Sequence, residues 1–238
     1  MKNLMKNVLL LSMILLSFSC AEIDNYDMPS ETFGGRFMIK GSGALLCEAC
    51  FSLKMEELSW SENPTPFYIP MKPDGTFLNT KMFAGHYRVQ PHGDVPFWPI
   101  EPIEIDIKGK TYHDFEVVPY MNFKDVTYKV EGNTLRISFK MYPSIKEGLP
   151  KILQIQPFVS LANRDSDIAK FSQDLKQDLN IETWTDDMAE EVHEFVIPNM
   201  PDNIYFVRIG IRVEKGTNTW NICVVNQTEG EKGFIKVG

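Results

Sequence analysis

Cysteine is scarce in this chain of 238 residues: there are four, and just two of them, Cys47 and Cys50, lie close together. A dense disulfide framework is therefore excluded. After the first twenty residues no apolar run approaches eighteen, so no transmembrane helix is expected beyond that point. Lys and Arg form no cluster, and 24 basic residues stand against 32 acidic ones for a net charge of −8. That balance argues against nucleic acid or anionic lipid as a partner. The catalytic signatures G-x-S-x-G, H-E-x-x-H, the P-loop and the dinucleotide fingerprint are all absent. His86, His92, His113 and His193 have no ligand spacing, and His193-Glu194 lacks a second His four positions on. No metal site, cofactor or catalytic residue is predicted.

Cys47-Glu-Ala-Cys50 has the C-x-x-C form. Zinc needs about four ligands of the right type, and no second C-x-x-C or close His pair supplies them. A redox motif belongs at a helix N-terminus, where the dipole lowers the thiol pKa. Here residues 50–55 alternate like a strand instead. Small buried thiols are the expectation, with a disulfide among Cys47, Cys50 and Cys223 left open.

What is present begins with an export signal. Lys2 and Lys6 precede an apolar stretch, Val8 to Phe18, that is too short to span a bilayer, and Ser17-Phe18-Ser19-Cys20 follows as a cleavage site. Residues 1–19 read as a signal peptide and Cys20 as the acylated first residue of the mature chain. Ser17 stands where a lipobox has leucine; the alternative is an ordinary secretion signal with an incidental cysteine. Losing Lys2 and Lys6 takes the net charge from −8 to −10. Residues 20–32 form an acidic leader with Glu22, Asp24 and Asp27, similar to the surface-export signal of Bacteroidetes lipoproteins.

Residues 33–119 break into about seven short alternating segments divided by Gly, Pro and Asn, the pattern of a β-sandwich. Phe51, Leu53 and Met55 make one strand face. Ile103-Glu-Ile-Asp-Ile107 alternates strictly. PDGTFLNTKMFAGHYRVQP, residues 73–91, reads as two strands of an antiparallel sheet, with Gly75 and Gly85 available for positive φ. The pattern restarts after residues 119–122. Leu135, Ile137, Phe139 and Met141 share a face, as do Leu153, Ile155, Val159 and Leu161, and as do Tyr205, Val207, Ile209, Ile211 and Val213. Between them Ile168, Phe171, Leu175 and Leu179 recur at three- and four-residue steps, which predicts one helix near 165–180. The fold class is all-β: two tandem sandwiches, 33–119 and 120–238, the second immunoglobulin- or fibronectin-like with a short helical insertion.

The acidic cluster Asp186, Asp187, Glu190, Glu191 and Glu194 lacks the order of a calcium loop and reads as a solvated charge run. Carboxylate pairs for glycoside hydrolysis are found in space, not in sequence, so a hydrolase with dispersed carboxylates stays open. The aromatics say more. Trp60 and Trp98 lie in proline-rich loops, with Phe67, Tyr68 and Phe97 nearby. Flat rings in loops can bind sugars by apolar contact, or else close the end of the sandwich by packing. Trp98, Trp60 and Tyr68 are the candidate binding residues. Trp184 and Trp220, beside predicted strands, read as packing residues.

DGTF followed by FAGHYRV, with DNYDMP before and DFEVVPY after, resembles a Bacteroidetes two-domain lipoprotein family of unknown function encoded in polysaccharide-utilisation loci. YFVRIGIRV followed by Trp220-Asn221 resembles the second half of the same family. The resemblance implies a transthyretin-like (carboxypeptidase-regulatory-like) first domain, an immunoglobulin-like second domain and no catalytic residues. It further implies an outer-membrane lipoprotein facing the cell surface, beside a TonB-dependent transporter and a glycan-binding lipoprotein. The expectation is a non-catalytic accessory protein that binds glycan. A structural spacer docking the transporter complex is the alternative.

Overall fold

The computed structural model describes residues 27–40, 43–44, 46–47, 51–72, 75–161, 175–215, 223–227 and 234–237. The signal segment, Cys20, Cys50, Trp220 and most of the expected helix lie outside them.

Among the described residues ten strands precede residue 118: β1 (Glu31–Ile39), β2 (Gly43–Ala44), β3 (Leu46–Cys47), β4 (Phe51–Glu57), β5 (Phe67–Pro70), β6 (Thr76–Met82), β7 (Gly85–Gly93), β8 (Ile103–Ile107), β9 (Lys110–Tyr112) and β10 (Phe115–Val117). Eight follow: β11 (Met121–Glu131), β12 (Thr134–Pro143), β13 (Ile152–Ser160), β14 (Gln177–Ile181), β15 (His193–Ile197), β16 (Asn203–Val213), β17 (Cys223–Gln227) and β18 (Phe234–Val237). The all-β expectation holds. At the end of the expected helix, residues 177–181 form β14, an edge strand on β13, while residues 165–174 lie outside the described residues. Leu175 and Leu179 are half-buried against the second core.

Two apolar clusters form, and they share no member. One gathers Phe33, Phe37, Leu53, Met55, Ile69, Phe77, Val89, Phe97 and Phe115; the other begins at Tyr120 and includes Leu135, Ile137, Phe139, Val207 and Ile211. The first is rich in phenylalanine, with Phe37 stacked on Phe115 at 4.8 Å and edge-on to Phe51 at 5.0 Å. Each such buried ring contributes about 1.5–3 kcal/mol of transfer free energy, and the edge-on contact adds roughly 0.5–1.5 kcal/mol.

In the first unit β5-β4-β7-β8 form one sheet, and β1 with β2, β6, β9 and β10 forms the other. This corrects the reading of residues 73–91. β6 and β7 do not pair; β6 pairs β1 and β7 pairs β4 and β8, so Phe83-Ala84 carries the chain from one sheet to the other. Gly75 does take positive φ, at 79°. Gly85 does not, and its role is different. In the second unit the inward face of β13 also departs from simple alternation. Its register shifts between Ile152 and Gln154, which puts Ile152 in the core in place of Leu153, and Leu161 ends exposed. One irregular residue exchanges the two faces of a strand.

The two units are joined by backbone as well as by sequence. β3, from the first half of the chain, pairs with β17 at the edge of the second unit's sheet. Phe97 bridges Pro119, and Trp98 donates its backbone N–H to Val118 O at 2.8 Å.

Candidate functional site

The alternating faces of β4, β5 and β7 define the site. On β4, Phe51, Leu53 and Met55 point into the core. The next residue on that face, Glu57, stands where the core runs out. Tyr87 of β7 lies opposite Glu57 in register, and Phe67 of β5 lies opposite Met55. Residues 59–66, with Pro64 and Pro66, leave β4 and return to β5, holding Trp60 at 75% exposure. From the other side the sheet-to-sheet crossing supplies Phe83, at 52% exposure. Glu57, Trp60, Phe67, Phe83 and Tyr87 line an open, mainly apolar cleft of about 440 Å³ at this end of the sandwich.

Hydrogen bonds hold the rim in place. Ser59 N–H donates to Glu57 Oε1 at 2.9 Å, and His86 N–H donates to Ser59 Oγ at 2.8 Å. Leu58 N–H donates to His86 O at 2.7 Å. The Tyr87 hydroxyl donates to Phe83 O at 3.0 Å, which ties the crossing to the cleft floor. Burial, with the Glu57 charge adding to it, pushes the Tyr87 phenol up to about 12, so it stays a donor at any ordinary pH. Phe67 stands edge-on to Tyr87 with ring centres 6.2 Å apart. Among the described residues Glu57 Oε2 has no hydrogen-bond partner, and Glu57 has no ion pair.

Gly85 matters here for the space it leaves. A Cβ at this position would lie 2.6 Å from Glu57 Oε1 and 3.2 Å from Ser59 Oγ. Glycine therefore lets the carboxylate sit against β7. Gly85, read from sequence as a turn glycine, and Tyr87 are both part of the cleft's construction.

The three candidate residues go to three places. Trp60 is in the cleft. Tyr68 points to the opposite face of the sheet, where its ring lies 4.8 Å from that of His92. Trp98 packs edge-on to Tyr120 at 5.0 Å, with Gly148 beneath its ring and its flank against the second core. Its indole N–H is buried, with no partner among the described residues. Trp98 thus sits at the junction of the two units, not on a loop platform with Trp60. Trp184 is buried in the second core.

Sequence reasoning missed Glu57, Phe67, Phe83 and Tyr87 as a group. Part of the signal was available. Extending the 51-53-55 face by two gives Glu57, and if Ile69 points inward so does Phe67, which turns Tyr68 outward. The approach of Phe83 depends on the crossing between sheets and leaves no local trace.

The outer face of the same sheet is a ladder of charge. Arg88 Nη2 lies 3.1 Å from Glu104, and His86 lies between Asp106 at 2.8 Å and Glu104 at 3.3 Å. Hydrogen bonds to Asp106 and then Glu104 raise the His86 pKa. In the second unit the acidic run is tied to lysines: Glu190 bridges Lys124 and Lys140 at 2.7 Å each, which draws its carboxyl down to about 2. Asp186 pairs with Lys146.

The architecture is thus that of a two-unit β-sandwich protein with an aromatic cleft at one end. Residues 31–118 match the family model "Protein of unknown function (DUF3823) N-terminal domain". A DUF3823 protein from Bacteroides uniformis is similar in structure, with a TM-score of 0.66, 22% identity, and 88% of this chain and 99% of that one covered. Another from Parabacteroides merdae gives 0.62 at 18% identity, covering 89% and 100%. A candidate carbohydrate-binding protein from Bacteroides uniformis gives 0.64 at 19% identity, covering 88% and 100%. At these identities the likeness speaks for the fold. No curated protein matches the chain.

Proposed function

We propose that this is a non-catalytic glycan-binding lipoprotein, anchored at Cys20 to the outer membrane and accessory to a polysaccharide-uptake system at the cell surface. The observation that carries the reading is the cleft, with Trp60, Phe67 and Phe83 presenting exposed ring surface around Glu57. Sugar rings have an apolar C–H face and a hydroxyl rim. Aromatic rings take up the first, and a fixed carboxylate oxygen accepts from the second. The rim is held before any ligand arrives by the Ser59, His86 and Tyr87 hydrogen bonds, so little ordering entropy is lost on binding.

The glycosidase reading has less to stand on. Hydrolysis by the two-carboxylate route needs a pair flanking the scissile bond. Glu57 is the one carboxylate lining the cleft among the described residues, and its neighbour Glu56 faces the other way, in a 2.7 Å pair with Lys54. The carbohydrate-binding description of the structurally similar Bacteroides uniformis protein fits the binding reading.

The test is a glycan array on purified mature protein, with product analysis of every glycan retained. Retention without release supports the proposal, whereas released oligosaccharide means an enzyme. A protein that retains nothing is a spacer.

A further inference from the structure

The lining of the cleft is uneven in charge. Among the described residues that line it there is one carboxylate, Glu57, and no Lys, Arg or His side chain. Nearby cations are engaged elsewhere: Arg88 and His86 are held on the outer face of the sheet by Glu104 and Asp106. Lys54 is held there by Glu56. Glu57 Oε1 is occupied by the Ser59 amide, which leaves Oε2 as the acceptor available to a ligand.

From this arrangement we infer that the cleft selects neutral glycans and discriminates against acidic ones. The inference rests on the glycan-binding reading and names the substrate class of the same site. A neutral sugar stacked on Trp60 and Phe83 can donate a hydroxyl to Oε2. The resulting hydrogen bond to a charged acceptor is among the stronger kinds. A uronic acid or sulfated sugar in the same pose would bring a second negative charge within a few ångströms of Glu57. Over apolar rings the effective dielectric is well below that of water, so the repulsion is amplified. The net negative charge of the chain, −8 before any processing, adds to it. The Tyr87 hydroxyl cannot relieve the repulsion, because its proton is already given to Phe83 O.

The discrimination therefore belongs to Glu57, while the affinity belongs mainly to the rings. Substituting Glu57→Gln keeps an acceptor for the Ser59 amide and removes the charge, so the fold is not at risk. Trp60→Ala removes a ring that packs against little and leaves the charge in place.

The experiment measures binding of matched neutral and acidic oligosaccharides by calorimetry at low and physiological salt. The probes are cello-, xylo- and maltohexaose against oligogalacturonate and a chondroitin sulfate hexasaccharide. Wild type, Glu57→Gln and Trp60→Ala are compared, and each is first checked by its melting temperature. The expected result is at least one neutral probe bound by wild type, with the acidic probes about tenfold weaker or more. Glu57→Gln should narrow that gap to about threefold or less, most visibly at low salt, where screening is weakest. Trp60→Ala should weaken neutral binding and leave no preference for acidic probes. Acidic probes bound by wild type as tightly as neutral ones would overturn the selectivity while leaving glycan binding intact. So would a gap that Glu57→Gln does not change. Binding of no probe at all, neutral or acidic, would overturn both.

Discussion

Gly85 and Glu57 occupy adjoining space: a methyl group on Gly85 would come within 2.6 Å of the Glu57 carboxylate oxygen. The contact is with the far end of a flexible side chain, so relief is available by rotation. Gly85→Ala is expected to lower stability by no more than about 1 kcal/mol, a fall of roughly 2–4 °C in melting temperature. Its larger effect falls on the cleft, because the displaced carboxylate loses the Ser59 amide. Neutral glycan binding should weaken about tenfold, as read by calorimetry on a protein that still melts near wild type.

The two loop tryptophans separate on substitution. Trp98 is packed on Tyr120 and the second core, and its removal leaves a void at the junction. Trp98→Ala should cost about 2–4 kcal/mol, toward the lower end of the range for buried aromatic truncation because the ring is only partly enclosed. Trp60→Ala should stay within about 0.5 kcal/mol of wild type, as exposed sites do. Thermal melts of the two variants side by side decide the point. A Trp60 variant that melts as low as the Trp98 variant would show that Trp60 is a packing residue.

His193 predicts a dependence of stability on acid. It is 6% exposed, sits 5.6 Å from the Phe139 ring, and its buried Nε2 has no partner among the described residues. Burial lowers its pKa below the ordinary 6.5, and the charge of Glu191 offsets this only in part. In the fold His193 therefore binds its proton less readily than in the unfolded chain. Its stabilising contribution is complete above about pH 6.5 and is lost as pH falls through the lower folded value. His86 acts in the opposite sense: its raised pKa gives stability below 6.5 that disappears as pH rises, but it is exposed and screened. Melting temperatures between pH 7.5 and 5 should fall further in wild type than in His193→Gln. Parallel curves would contradict this role for His193.

Anchoring is tested separately. Cys20→Ala should move the protein from the membrane fraction to the soluble fraction and abolish palmitate labelling. A variant that remains membrane-bound and labelled would place the lipid on another residue or show another anchor.

How much of this was legible depends on how local each feature is. The β-sandwich character and most of the core followed from alternation: Phe51, Leu53 and Met55, the Leu135–Met141 face and the Tyr205–Val213 face are all buried as read. Alternation failed where a strand is irregular, as at Leu153. The sequence carried no sign that β6 and β7 belong to different sheets, since a two-residue link serves a hairpin and a crossing equally well. For the same reason just one of the five described residues lining the cleft was named from sequence as a candidate binding residue. Trp60 was found by composition, but its partners Phe67, Phe83 and Glu57 converge through pairing among β4, β5 and β7 and through the crossing. Trp98 looked like its equal in sequence because both lie among prolines; only the position of Tyr120 distinguishes them.

The most direct test of the glycan-binding cleft is an NMR titration that follows the indole N–H signals of the chain's four tryptophans as a neutral hexasaccharide is added. Assignment comes from single Trp→Phe variants. The account predicts that the Trp60 signal shifts in proportion to saturation, while those of Trp98 and Trp184 stay where they are. A sugar that binds and moves Trp98 but not Trp60, or that leaves all four signals unchanged, would contradict it.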